Sequence, residues 1–145
     1  MKLIIAYFLF FIMGNNSKIA DKNALVGLWL SEEKDLKIEV INLNDVFFAK
    51  IVWFKCTPNG PKMDTYKDKN NPDITKRDRL WLGMNVLENL NFNEKGYWQN
   101  GKIYEPNSGR KYSATVRLNN SNSLTVRGFW GFELFGKTLN FTRSN

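Results

Sequence analysis

Apolar and polar residues alternate along most of the chain after residue 26, and a period of two is typical of β-strands with one buried face. The alternation predicts strands over residues 26–30, 36–43, 46–54, 80–92, 97–105, 111–118, 123–130 and 132–142. In the third of these, Phe47, Ala49, Ile51 and Trp53 would share one face. About eight antiparallel strands close a small barrel around side chains or one ligand, so the pattern predicts a single all-β barrel.

The alternation stops between residues 57 and 79, where Pro, Asn, Gly, Lys and Asp residues accumulate. A linker between two domains would have this composition, but the chain that follows is too short to form a second domain. The segment therefore predicts one long, ordered loop after the third strand. Within it, Asp73 is positioned to cap a short helical turn over residues 74–77.

Residues 1–20 differ from the rest of the chain and predict a signal peptide. Lys2 supplies a positive charge, and the apolar run over residues 3–13 is shorter than the roughly 20 residues of a membrane span. An uncleaved anchor and a buried strand are the alternatives. The candidate cleavage positions are Gly14, Ser17 and Ala20. We therefore expect an exported protein, periplasmic or secreted, with a single barrel domain over residues 21–145.

The chain carries a net charge of +7 and contains no histidine. The absence of histidine excludes a conventional Ser-His-Asp hydrolase and removes the commonest metal ligand. The single cysteine, Cys56, cannot form an internal disulfide. Its position after a strand favours a packed apolar side chain over a reactive thiol.

Carboxylates are the remaining candidates for catalysis, either Glu32 with Glu33 or the loop acids Asp64, Asp68 and Asp73. Adjacent or loop carboxylates are usually solvated surface charges, and the loop acids lack the spacing of an EF-hand calcium site. We expect no catalytic residue, no metal and no cofactor. A carboxylate-based hydrolase is the third of the functional hypotheses.

The basic composition makes binding to nucleic acid a further hypothesis to test against the pattern. The aromatic residues alternate with Val and Leu as core residues do, and no aromatic-basic RNA-binding motif occurs. We therefore expect no nucleic-acid partner. The basic residues that would have formed the groove are Arg77, Arg79, Arg110, Lys111, Arg117 and Arg127.

Several short motifs together resemble the uncharacterised bacterial family called domain of unknown function 2147, from Gly27 to the C-terminus. The motifs are Gly27-Leu28-Trp29, Lys50-Ile51-Val52-Trp53, Asp68, Asn71-Pro72-Asp73, Arg77-x-Arg79, Gly83, Trp98-x2-Gly101-x-Ile103-Tyr104-x-Pro106-x2-Gly109-x2-Tyr112-Ser113-Ala114, Val126-Arg127-Gly128-Phe129 and Thr142-Arg143. The resemblance implies a lipocalin-like barrel of the calycin type, exported and without an established enzyme activity.

The resemblance also implies how one end of the barrel closes. In barrels similar to this one, the Trp of a Gly-x-Trp motif packs against an Arg of the last strand. Here Gly27 and Trp29 supply the motif, and Arg143 is the expected partner in a cation–π contact worth about 0.5–2 kcal/mol. A ligand should therefore enter at the opposite end or beneath the loop over residues 57–79.

The leading hypothesis is non-catalytic binding of a small, largely apolar molecule, with an acidic group favoured by the basic surface. The alternative is an envelope interaction protein whose barrel is filled and whose surface binds a protein. In the loop, Asn71, Asp73, Arg77 and Arg79 would either tie the loop to the barrel or contact a polar headgroup. The candidate ligand-binding residues are Trp53, Arg77, Arg79, Trp98, Tyr104, Tyr112 and Arg127.

Overall fold

The alternating segments pair in chain order to form a closed barrel of eight antiparallel strands, in which the last strand returns to pair with the first. The computed structural model describes residues 21–132 and 136–145, so the signal-peptide prediction for residues 1–20 lies outside the described residues. The strands are β1 Gly27–Ser31, β2 Leu36–Leu43, β3 Val46–Phe54, β4 Asn85–Asn93, β5 Tyr97–Glu105, β6 Arg110–Asn120, β7 Ser123–Phe129 and β8 Gly136–Ser144. The prediction of a single all-β barrel with one long loop after the third strand is confirmed.

Helical structure in the described part is limited to three short 3-10 turns, η1 Lys22–Leu25, η2 Met63–Thr65 and η3 Ile74–Lys76. Among the described residues, no helix is long and apolar enough to cross a membrane. The last two of these turns lie in the loop that joins β3 to β4, residues 55–84, which we call the β3–β4 loop.

The tight turn between β2 and β3 shows how the local sequence fixes the pairing of strands. Asn44 and Asp45 both have positive φ angles, 53° and 66°. A two-residue hairpin with this conformation matches the right-handed twist of the strands, and Asn and Asp tolerate it better than most residues. Leu43 and Val46 consequently pair directly across the turn.

Three predicted details of the strands are wrong, and one of them is the start of the last strand, which lies at Gly136 and not at Phe132. The register between β2 and β3 shifts beside Lys37, so that Lys37 pairs with Trp53 while the next residue, Ile38, pairs with Ile51. This irregularity reverses the alternation, and Trp53 is 37% exposed instead of sharing the buried face. The fourth strand also begins at Asn85, because the residues before it complete the β3–β4 loop.

The interior of the barrel is filled by large side chains that form one continuous core cluster. Trp29, Phe47, Leu90 and Trp98 are fully buried within it. Where the wall carries Gly101, a methyl group in place of its hydrogen would lie 2.5 Å from Leu90 Cδ2, so the leucine already occupies that space. The main core is therefore tightly packed, and its role is to stabilise the fold.

The order of the strands gives the barrel two different ends. One end carries the β3–β4 loop together with the β1–β2, β5–β6 and β7–β8 connections, and we call it the loop end. The opposite end carries the three short connections that remain, the start of β1 and the end of β8. Because Trp29 pairs with Arg143 near the start of β1 and the end of β8, we call this the sealed end.

Candidate functional site

The sealed end is closed by the contact that the Gly-x-Trp motif predicts. Trp29 and Arg143 are paired in register across β1 and β8, and the guanidinium carbon lies 4.1 Å from the indole ring centroid. The indole Nε1 donates a hydrogen bond to the Leu25 carbonyl oxygen at 2.9 Å, so this buried polar group is satisfied. The predicted stacking of Arg143 on Trp29 is therefore present.

The same guanidinium also ties three chain segments together. It donates to the carbonyl oxygens of Ala24 at 2.6 Å, Val26 at 3.0 Å and Ser121 at 2.9 Å. Gly27 leaves room for this arrangement, because a Cβ at its position would lie 2.8 Å from Arg143 Nη1. Its φ angle of +131° is also one that residues with a side chain rarely adopt. The three residues Gly27, Trp29 and Arg143 thus depend on one another.

At the loop end, Asp68 anchors the β3–β4 loop through a fully buried carboxylate. Asn71 Nδ2 donates to it at 2.7 Å, Arg79 Nη2 at 2.9 Å and the Tyr104 hydroxyl at 2.5 Å. Tyr104 lies on β5, so these bonds join the loop to the barrel wall. Hydrogen bonds to a charged carboxylate are strong and directional, so they fix both the distance and the orientation of the loop relative to the barrel wall.

The anchor shifts the pKa of both titrating groups. Burial acts to raise the pKa of the Asp68 carboxyl, but the hydrogen bonds from Asn71, Tyr104 and Arg79 outweigh burial and hold that pKa below its usual value. Burial and the hydrogen bond to the negative Asp68 raise the pKa of Tyr104 to about 12. At neutral pH the pair is therefore a carboxylate accepting from a neutral phenol.

Local hydrogen bonds fix the conformation of the loop between Asp68 and Arg79, the first and last loop residues of this anchor. The Asn71 side chain accepts from the Asp73 backbone N–H at 2.9 Å, and Arg77 Nε donates to the Asn71 carbonyl at 2.8 Å. Asp73 caps η3 by accepting from the Thr75 N–H and hydroxyl at 3.0 and 2.6 Å. The structure therefore places Asn71, Asp73, Arg77 and Arg79 in one hydrogen-bonded assembly.

The loop also docks on the β5–β6 turn, where Asn70 Nδ2 donates to the Asn107 carbonyl at 2.8 Å. Gly109 makes that approach possible because a Cβ at its position would lie 1.9 Å from the Asn70 carbonyl oxygen. Its φ angle of +71° adds to the requirement for glycine.

Replacing Gly109 with alanine should lower the free energy of unfolding by about 2 kcal/mol, from backbone strain and displacement of the loop. Chemical denaturation followed by fluorescence measures the change. Gly96 is the matched control, because its φ is also positive at +91° but a Cβ at its position would meet nothing within 4 Å. Its alanine variant therefore isolates the backbone strain. If both alanine variants lose the same free energy of unfolding, close packing of the loop against Gly109 contributes nothing to stability.

A second apolar cluster lies beneath the β3–β4 loop and is distinct from the main core. Three aromatic rings form its centre: Phe54 lies 5.1 Å from Tyr66 and 5.4 Å from Trp81, and the last two are 5.3 Å apart, centroid to centroid. Tyr66 and Trp81 come from the loop itself. The remaining members are Leu36, Ile51, Cys56, Met63, Met84, Val86 and Tyr104.

The indole N–H of Trp81 is shielded from solvent and has no hydrogen-bond partner among the described residues. The same holds for Trp98, which is fully buried in the main core. Buried indole N–H groups usually find an acceptor. Trp81 differs from Trp98 in lying on the β3–β4 loop itself, so a local opening of the loop would expose its N–H to a new acceptor.

A polar cleft of about 380 Å³ lies beside this cluster, between the loop and the barrel wall. Lys76, Arg79 and Lys111 bring positive charge to it, and Asp73 and Glu88 bring negative charge. Tyr104 belongs to both regions, because its ring packs in the apolar cluster while the residue also lines the cleft. An apolar compartment and a charged cleft therefore meet at Tyr104.

The candidate ligand-binding residues do not converge on one site. Trp98 packs against Phe47 with ring centroids 6.1 Å apart, deep in the main core, and Trp53 is exposed on β3. Arg127 donates to the Thr138 hydroxyl at 2.8 Å, and Tyr112 lies 5.9 Å from Trp130. Only Arg77, Arg79 and Tyr104 lie together, at the Asp68 anchor. Roles in ligand binding stay predictions for all seven.

Sequence reasoning missed the two residues that build the covered cluster from the loop, Tyr66 and Trp81, and it treated Asp68 as one loop acid among several. A signal for Asp68 existed in its spacing to Asn71 and to the Arg77-x-Arg79 pair. Nothing comparable distinguished Tyr66, because a lone aromatic residue in a polar loop does not reveal what it contacts.

The closed barrel with its sealed end defines a lipocalin-like protein. The chain belongs to the family described as an uncharacterized protein conserved in bacteria (DUF2147), whose model matches residues 27–143, and the predicted resemblance is thereby confirmed. A similar solved structure is protein HP1028 from Helicobacter pylori, described as belonging to the lipocalin family. It is 26% identical, with a TM-score of 0.72 over 83% of each chain. No curated protein matches the chain.

Proposed function

We propose that this protein binds a small, largely apolar molecule at the loop end of the barrel, beneath the β3–β4 loop, without catalysing a reaction. The observation that carries the proposal is the second apolar cluster. The β3–β4 loop covers this cluster, whereas strands enclose the main core. Loops open locally at a lower free energy than barrel strands do. A ligand could therefore replace the contacts of Tyr66 and Trp81 without disturbing the main core.

The polar surroundings suggest the chemistry of the ligand. The shielded Trp81 N–H calls for a hydrogen-bond acceptor, and the neighbouring cleft carries Lys76, Arg79 and Lys111. An apolar chain with a carboxylate or similar acidic group would match both features, because the chain fits the cluster and the acidic group supplies an acceptor and a partner for positive charge. Export, which residues 1–20 predict, would place this binding outside the cytoplasm.

Three of the five candidate carboxylates have contacts that support a non-catalytic role. Asp68 is committed to the loop anchor, and Asp73 caps η3. Glu32 accepts from Asn140 Nδ2 at 3.3 Å on the surface. Each of these carboxylates therefore has a structural contact, which favours binding over acid–base chemistry as the function.

Replacing Trp81 with phenylalanine should weaken binding of dodecanoate by about tenfold, because an aromatic ring is kept while the only indole donor of the cluster is lost. Calorimetric titration measures the affinity. Trp53→Phe is the matched control, because Trp53 is exposed on the outer face of β3 and its replacement should leave the affinity unchanged.

Two results would contradict the proposal. One is equal affinity in the wild type and Trp81→Phe. The other is wild-type protein that binds no fatty acid and, purified from its own host, carries no small molecule in native mass spectrometry.

A further inference from the structure

Trp130 and Phe132 are the most exposed aromatic side chains in the described part of the chain, at 66% and 76%. Both follow β7 at the loop end of the barrel. Trp130 is held in this position, because its Nε1 donates to the Lys111 carbonyl at 3.2 Å and its ring lies 5.9 Å from that of Tyr112. Large apolar groups exposed to water, here with Trp130 fixed in place, usually mark an interaction surface.

Positive charge lies beside Trp130 and along the neighbouring cleft and loop. Lys111 is exposed beside Trp130, and it lines the same cleft as Lys76 of η3. Ile74, in the same 3-10 turn as Lys76, is 74% exposed and adds a further apolar side chain to this end. The β3–β4 loop contains seven Lys and Arg residues against four Asp, and one of those Asp residues, Asp68, is buried in its anchor.

We propose that the loop end docks on an anionic phospholipid bilayer, with Trp130 and Phe132 in the headgroup region and the neighbouring lysines on the lipid phosphates. Tryptophan prefers this interface because its ring is apolar and its N–H is polar. Each basic side chain near an anionic surface contributes about 1 kcal/mol. Separate apolar side chains interspersed with cations fit a fluid, charged interface better than the continuous apolar patch that a rigid protein partner would need.

The two ends of the barrel provide an internal control. Leu43, the last residue of β2 at the sealed end, is 59% exposed and is therefore comparable in exposure to the loop-end residues. Its removal should not affect docking through the loop end. The proposal does not depend on the ligand site beneath the loop, because Trp130 and Phe132 lie outside the second apolar cluster.

The test is cosedimentation of the chain with vesicles of phosphatidylcholine alone or of phosphatidylcholine mixed with phosphatidylglycerol. We expect binding to the anionic vesicles only, weakening as salt rises. Trp130→Ala combined with Phe132→Ala should reduce the partition coefficient by about tenfold or more, while Leu43→Ala should leave it unchanged. Near-ultraviolet circular dichroism of both variants verifies that they are folded. Equal binding of wild type and double variant, or no binding of wild type to anionic vesicles, overturns the proposal.

A second measurement uses Trp130 as its own reporter. Vesicles with bromine atoms on the upper acyl chain should quench the tryptophan fluorescence of the wild type. Trp130→Phe should still bind the vesicles but lose that quenching, because the variant keeps an aromatic ring without the indole. Undiminished quenching in Trp130→Phe would show that another face contacts the lipid and would overturn the proposed orientation.

Discussion

Replacing Asp68 with alanine should lower the free energy of unfolding by about 3–5 kcal/mol at neutral pH. The carboxylate is fully buried and accepts hydrogen bonds from Asn71, Arg79 and Tyr104. Its removal leaves the Tyr104 hydroxyl and the Asn71 amide, both buried, without their acceptor. Arg79 is 38% exposed and can regain hydration, so the largest part of the cost falls on the other two groups.

Acid should remove the same stabilisation. The pKa of Asp68 is lower in the folded chain than its ordinary value of about 3.9, so its contribution is complete above that value and is lost as the pH falls through the folded pKa. Asp68→Asn cannot make this charged interaction at any pH. The difference in unfolding free energy between wild type and Asp68→Asn should therefore shrink from pH 6 to about pH 2.

Asp78 provides the matched control for these measurements. It lies in the same loop and forms a surface ion pair with Lys67 at 3.3 Å, with its side chain 94% exposed. Asp78→Ala should change the free energy of unfolding by less than about 0.5 kcal/mol. Urea denaturation of all variants at several pH values gives the comparison. A wild-type to Asp68→Asn difference that stays constant down to pH 2 would contradict the charge-based anchor.

The strands were predictable because alternation reports which face of each segment is buried, and that information is local. The hairpin at Asn44 and Asp45 was equally predictable, since the turn conformation depends on those two residues. The closing contact joins Trp29 and Arg143, which lie more than a hundred residues apart in sequence. It was predictable only through the family resemblance, because alternation contains no information on which strand ends meet.

The irregular positions were not predictable for a related reason. The shift beside Lys37 that exposes Trp53 depends on how two strands fit as the barrel closes, and neither strand shows it alone. The Asp68 anchor joins residues 36 positions apart, and the cluster of Phe54, Tyr66 and Trp81 forms only after the loop folds back. Sequence reasoning could place these residues in a loop, but it could not say what they contact.

Replacing Arg143 with alanine should lower the free energy of unfolding by about 3–4 kcal/mol. The variant loses the stacking on Trp29 and leaves the carbonyl oxygens of Ala24, Val26 and Ser121 without their charged donor. Because two of those carbonyls belong to the segment before β1 and the third to the β6–β7 turn, the loss should also free the segment before β1. Hydrogen exchange of the backbone amides around η1 would show that release as faster exchange.

Arg117 separates the stacking contribution from the hydrogen bonds. Its guanidinium lies 4.2 Å from the Tyr97 ring centroid on the surface, without a comparable set of carbonyl contacts among the described residues. Arg117→Ala should cost only about 0.5–1 kcal/mol. The free energy of unfolding lost in Arg143→Lys should lie between these two losses. Lysine keeps the charge, but it has no planar group that can reach three carbonyls. If Arg143→Ala costs no more than Arg117→Ala, stacking alone holds the sealed end, and the role of the guanidinium in joining three segments is refuted.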